Sequence, residues 1–225
     1  GRSFGVARWR RIAFWTGLGV VFVALESPLD RGGDHFLFTL HMVQHSLLMM
    51  AAAPLLALAT PRPAVAWLGQ RLPGAGGVLR WLSGGVAVTA LFNINLAVWH
   101  LPAFYEAALR NEAVHITQHL LFLGLGYGLW LVITAPEGDA LGPRLPLRLA
   151  FVVASAIVDW LVSFSIAVAG RPLYPTYAAA PRLWGLSPEA DQALGGGLMW
   201  VMDNMVYGAA TIWLVALGSN VSAFW

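Results

Sequence analysis

Two short segments set the chemical question. HMVQH places His41 and His45 four residues apart, and HITQH does the same with His115 and His119. Side chains at i and i+4 share one face of a helix, so each segment presents two imidazoles together. Neutral imidazole nitrogens ligate copper, zinc, iron or nickel. Met49 continues the His41–His45 face by one more turn, and a thioether beside imidazole favours Cu(I). Met42 and Met50 lie close in sequence, but methionine is also ordinary core filler. His35 and His100 are weaker candidates. His35 adjoins Asp34 and reads as a capping or solvated residue as readily as a ligand. His100 precedes LPAFYEA and reads as ligand, ligand support or turn former. One histidine in an apolar helix is usually a hydrogen-bonded packing residue. Six at one end of the molecule, with two i,i+4 pairs, favour a metal or cofactor site.

A second polar layer consists of Asp159 and Asp203, each near the middle of a long apolar run. An intramembrane carboxylate is costly and faces the bundle interior with a partner. Ser155, Asp159 and Ser163 form a stripe at i, i+4, i+8, Met199 shares a face with Asp203, and Asn93 roughly shares one with His100. These groups read either as a polar route beneath the histidines or as a closed network that holds the helices. Cysteine is absent, which excludes disulfides, thiolate catalysis and a Cys-based metal site. GLGYG and GGG lack the strand–turn–helix setting of a phosphate loop and read as small residues that let helices approach.

The elements that must position these groups follow from composition. The 225 residues are 58% hydrophobic and only 11% charged, which is a membrane-protein balance. All thirteen basic residues are arginine, scattered at the ends of apolar segments and never gathered into a nucleic-acid stripe. Six runs are long enough for a hydrocarbon core of about 30 Å. They span 12–26 (extending back through Trp9), 36–59, 80–100, 113–135, 147–169 and 193–218. Backbone in lipid must satisfy its own hydrogen bonds, so the runs predict helices. The fold class is all-α, a polytopic transmembrane helix bundle of six spans forming a single domain over residues 1–225. Loop 170–192, with four prolines, is placed as a cap over the outer mouth.

Arginine fixes the direction. Arg2, Arg8, Arg10, Arg11, Arg62, Arg71, Arg80, Arg144 and Arg148 fall on one side, against Arg31, Arg110, Arg171 and Arg182 on the other. The arginine-rich side is therefore cytoplasmic, and loops 26–35, 101–112 and 170–192 face out. Trp67, Trp81, Trp99 and Trp184 lie near the expected interfaces. This topology brings all six histidines to the outer end, with His45 and His119 at matching depth.

The segment ESPLDRGGDHFLFTLHMVQHSLLMMAAAPLLALATP resembles the CtaG family of cytochrome c oxidase assembly factors, caa3-type integral membrane proteins. WHLPAFYEAALRNEAVHITQHLLFLGLGYGLW, the loop beginning ITAP, and DQALGGGLMW are similar to the same family pattern, so the likeness covers most of 26–213. The resemblance implies a bacterial plasma-membrane protein that helps mature haem–copper oxidases by handling copper. Its histidines match His41, His45, His115 and His119. Glu26, Asp30 and His35 fall in the matching outer region, and Asp191 with Gln192 opens the last helix. Members usually show seven spans, so a further span is expected before residue 1, in keeping with the absent initiator Met. Gln118 stands where many members carry Glu, and Asp203 follows MW where small or proline-containing sequence is common.

The resulting expectation is an assembly factor and not an enzyme. It holds Cu(I) at an outer-facing site of His41, His45, His115 and His119, with Met49 as a soft ligand and His100 or His35 in support. It would pass copper to an oxidase subunit, receiving it directly or from another copper chaperone. Two other readings stand. A b-type haem could take His45 and His119 as axial ligands. A copper or proton transporter would extend the polar path through Asp159 and Asp203.

Overall fold

A computed structural model describes residues 7–71, 76–77, 85–137, 139 and 141–222. Arg2, Arg80, Trp81 and the first residues of the third apolar run lie outside the described residues. The elements are α1 (Arg8–Glu26), α2 (Pro28–His35), α3 (Phe38–Ser46), a π-helical segment (Leu47–Ala52) and α4 (Ala53–Ala59). They continue as α5 (Arg62–Arg71), α6 (Val86–Trp99), α7 (Pro102–Arg110), α8 (Glu112–Ile133), α9 (Leu145–Ala167), α10 (Pro175–Ala179) and α11 (Pro188–Ser222). The described residues contain no strand, as the apolar runs predict.

Four helices are individually long and apolar enough to cross a membrane: Phe38–Ala59, Glu112–Ile133, Leu145–Ala167 and Pro188–Gly218. Two bent pairs, α1 with α2 at 43° and α6 with α7 at 77°, raise the number to six. The bends correct the expectation of outer loops at 26–35 and 101–112, which are helical. Proline starts each short helix at a position where a missing N–H costs nothing. Ser27 caps α2 by accepting from Leu29 N, and Pro102 opens α7.

Within the second span the ladder changes pitch. Pro54 cannot donate to the carbonyl four residues back, and its ring displaces that carbonyl. The turn before it is π-helical, with Ala53 N–H reaching Leu48 O. The extra residue per turn falls directly below His45 and Ser46.

The two ends of the bundle are chemically opposite. At one end, arginines satisfy the carbonyls that helix C-termini leave open. Arg10 donates to Leu58 O and Thr60 O at 2.9 and 2.8 Å, Arg62 to Leu131 O at 3.1 Å, and Arg148 to Ile133 O at 2.8 and 2.6 Å. The histidines occupy the other end. Between them lies an apolar core that includes Met49, Phe92, Phe122, Trp130 and Leu214. Trp160, Phe164, Trp200, Met205 and Ile212 project outward from α9 and α11, as lipid contact requires.

One carboxylate joins the start of the last helix to the start of the histidine helix. Asp191, 2% exposed in the first turn of α11, accepts from Phe38 N at 2.7 Å and Thr39 N at 3.1 Å. Thr39 Oγ1 returns a bond to Asp191 O at 2.9 Å. Asp191 therefore caps α3 from across the bundle, supplying the acceptor that Leu37 at the N-cap cannot. Gly195 makes the approach possible: a Cβ there would collide with Phe38. D191A removes an acceptor shared by two buried N–H groups. The expected loss is about 2–3 kcal/mol in detergent unfolding, with D191N intermediate, and an unchanged midpoint would contradict the cap.

Candidate metal centre

Helices α3 and α8 each deliver an imidazole pair to one point. The ring centroids of His41 and His45 are 4.3 Å apart and those of His115 and His119 are 4.1 Å apart. Across the helices His41 lies 5.2 Å from His115, and His45 lies 5.4 Å from His119. The two i,i+4 pairs therefore face each other across α3 and α8, as the spacing predicts. The tightest group is His41, His115 and His119, with one ring nitrogen from each within 4.8 Å of the others. His100, at the C-terminal end of α6, adds a fifth ring 5.9 Å from His45. His41 and His45 are fully buried, and His119 and His100 nearly so.

The hydrogen bonds fix which nitrogens are free. Tyr177 OH donates to Gly33 O at 2.7 Å, so its single proton is committed. Burial holds this phenol above its ordinary pKa, which keeps it a donor. The 2.9 Å contact between Tyr177 OH and His41 Nδ1 therefore requires a proton on Nδ1. In the neutral ring His41 Nε2 is then a bare lone pair, and His45 Nε2 must supply the proton in their 2.8 Å contact. That leaves His45 Nδ1 bare, buried and without a partner. His100 follows the same logic: Nδ1 donates to Leu96 O at 2.7 Å, and Nε2 is left unpartnered. His115 Nε2 and His119 Nε2 also lack hydrogen bonds. Buried ring nitrogens left unpartnered on α3, α6 and α8 are costly without a ligand, and those of His115 and His119 lie beside His41. Bonds of about 2.0 Å allow two donors on one ion to lie up to about 4 Å apart, so side-chain rotation suffices to close the group.

A carboxylate and a tyrosine cluster complete the surround. Asp34 Oδ1 lies 3.6 Å from His115 Nε2 and 3.9 Å from His41 Nδ1. Burial raises the Asp34 pKa, His115 opposes that, and Asp30 adds to it. Tyr105 and Tyr174 stack with Phe38 beneath Tyr177, with centroids 4.2 Å apart between the tyrosines and 5.0 Å between Phe38 and Tyr174. The outer segment that carries Tyr174 and Tyr177 is tied down at several points. Glu106 accepts from Thr176 N and Thr176 Oγ1, and Gln192 binds Leu173 N and the carbonyls of Ile166 and Arg171. These bonds tie the 170–192 segment to α7, α9 and α11.

Not every candidate is brought in. His35 is exposed and packs edge-on to Phe36 at 6.4 Å, outside the imidazole group. Its neighbour Asp34 occupies the site instead. Met49 is fully buried in the apolar core beside Gly126, two residues into the π-helix and off the α-helical register with His45. Gln118 is fully buried, with neither amide atom hydrogen-bonded. Glu26 and Asp30 lie at the α1–α2 bend, where Asp30 accepts from Gln44 Nε2 at 2.6 Å. Asn93 donates to Thr89 O and to Ser155 Oγ. Asp159 and Asp203 sit deeper, apart from the histidines. The sequence places Asp34 only among the outer acidic residues that could draw cations or dock a partner, and it gives no role to Tyr105, Tyr174 or Tyr177. The aromatic weight of the outer loop was the one signal pointing to the tyrosines.

The profile of the cytochrome c oxidase caa3 assembly factor family matches residues 1–218. The chain is 26% identical over 223 residues to uncharacterized proteins of Mycobacterium bovis and Mycobacterium tuberculosis. The alignment covers 91% of this chain and 33% of each relative, so the chain spans about a third of the length of the curated proteins it matches. No solved structure matches it.

The tautomers are directly measurable. Nitrogen NMR of the 15N-histidine-labelled, metal-free protein should show His41 and His100 protonated at Nδ1. Y177F should abolish the preference at His41 and leave His100 unchanged. Protonation of His100 at Nε2 in the wild type would contradict the assignment.

Proposed function

Because the chain belongs to the cytochrome c oxidase caa3 assembly factor family, we propose that its buried histidine cluster takes up Cu(I) for delivery to the oxidase. The observation that carries this reading is that one ring nitrogen from each of His41, His115 and His119, on α3 and α8, lies within 4.8 Å of the others, with Nε2 of His115 and of His119 unpartnered. His41, His115 and His119 would hold the ion first, with His45 and His100 able to replace them as it moves. Imidazole suits copper among several metals, and the absence of thiolate favours a site that releases its cargo. Asp34, at the rim beside His115, gives an arriving cation an electrostatic attraction.

Tyr177 has a supporting role. By fixing His41 Nδ1–H, it turns Nε2 toward the cluster, as second-sphere partners of metal-bound histidine do. Delivery of this kind makes and breaks only metal–ligand bonds, so the chain acts as a chaperone and not as an enzyme. The arginine distribution supports a plasma-membrane orientation with the histidines on the extracytoplasmic side. Copper would come from that side and pass to an oxidase subunit, with or without a second copper carrier. A b-type haem on His45 and His119 is less well supported. The rings of His41, His115 and Phe122 pack within 4.3, 4.1 and 4.6 Å of those two, where a porphyrin would have to lie.

Metal analysis after Cu(I) loading tests the proposal. Wild type should retain about one copper per chain, H45A/H119A and H41A/H115A should each retain at least tenfold less, and H35A should match wild type. Equal copper in all four would remove the cluster from copper binding. A Soret band lost on changing His45 or His119 would replace copper with haem.

A further inference from the structure

The middle of the bundle holds a second group of donors, of a different kind from the imidazoles. Asp159 on α9 and Asp203 on α11 are both fully buried and interact directly across the helix pair. Ser46, the last residue of α3, faces Asp203 from a third helix, and Tyr207, one turn beyond Asp203, acts on both carboxylates. Ser46 and Tyr207 are each 1% exposed. Asp159 Oδ2 accepts from Asn204 Nδ2 at 2.9 Å. Within the group, Asp159 and Asp203 can share a proton and Ser46 can donate to Asp203, while Tyr207 OH has no hydrogen-bond partner. Neither carboxylate has an ion-pair partner among the described residues. Arg148, on the same helix as Asp159, lies about 16 Å away along the axis and is spent on Ile133 O.

Two carboxylates at this depth cannot both remain ionised and uncompensated. A doubly charged cation would neutralise the pair completely. It would also stand where the carboxylates otherwise share a proton, and would give a partner to Tyr207 OH, which has none. The donors are all oxygen, two of them anionic, which selects a hard divalent ion such as Mg²⁺ or Mn²⁺ over Cu(I). The surround is rigid enough to define a site. Tyr207 stacks on Trp130 at 6.3 Å with the rings 14° apart, and Trp130 Nε1 donates to Met49 O in the π-helix. Ser46 is held at the junction where α3 becomes π-helical.

We propose that Asp159, Asp203, Ser46 and Tyr207 form an intramembrane site for a hard divalent cation, separate from the histidine cluster. Such an ion would tie α3, α9 and α11 together directly beneath the imidazoles. The inference does not depend on the copper reading, because it shares no donor with that site.

Mn²⁺ is a suitable probe, since its free form is read by electron paramagnetic resonance. The full chain in detergent, stripped of metal and titrated with Mn²⁺, should bind about one ion. D159N/D203N should weaken binding at least tenfold while eluting as wild type on size-exclusion chromatography. Y207F and S46A should each weaken it by a smaller factor, which keeps the test valid if the double variant does not fold. H41A/H115A should bind Mn²⁺ as wild type does. The proposal is overturned if folded wild type binds no Mn²⁺, or if binding survives D159N/D203N in folded protein. It is equally overturned if binding is lost with the histidines, or survives both Y207F and S46A unchanged. An infrared carboxylic-acid band from Asp159 and Asp203 that persists in saturating Mn²⁺ would show that protons occupy the place assigned to the metal.

Discussion

Polar atoms at membrane depth have no water to turn to, and this constraint organises the molecule. It explains why arginines reach back to the last carbonyls of α4 and α8, and why Asp191 crosses the bundle to cap α3. It also identifies the places where the accounting does not close within the protein. Around the histidines, nitrogens of His45, His100, His115 and His119 are left without partners, as are both amide atoms of Gln118. The unpartnered imidazole nitrogens are what the copper proposal rests on.

The cap and the cluster are one construction. Asp191 sets where α3 begins, Gln192 and Glu106 hold the outer segment, and that segment places Tyr177 against both Gly33 and His41. A phenol with its proton committed to a carbonyl then dictates the tautomer of the first imidazole, and the second follows from the first. The chain of consequence runs from a helix cap to the direction of a lone pair. No residue along it is replaceable by one of merely similar polarity: the link at Tyr177 needs a group that donates once and accepts once.

How much of this was legible in the sequence depended on range. Local periodicity predicted the apolar helices, the two i,i+4 imidazole pairs and, with the arginine distribution, their meeting at one end. The segments 26–35 and 101–112 read as loops because they are short and polar, but a proline starts a helix in each, and Ser27 caps the first. Met49 was placed by α-helical spacing, and the π-helix forced by Pro54 moved it out of register. Asp34 and Tyr177 fall in the segments expected at the histidine end, but their contacts with the imidazoles are not legible. Their partners are distant in sequence, with Tyr177 lying 136 residues from His41, and no periodicity links an outer loop to the face of a helix. His35 and Asp34 show the limit sharply: neighbours in the chain, one points out and one points in.

The central claim is that Cu(I) is bound by imidazole nitrogen from this cluster. X-ray absorption at the copper edge of the Cu(I)-loaded protein tests it most directly. The account predicts a low-coordinate Cu(I) shell of two to three nitrogens with the outer-shell scattering of imidazole rings and no sulfur contribution. A shell dominated by thioether sulfur, or one without imidazole scattering, would contradict it.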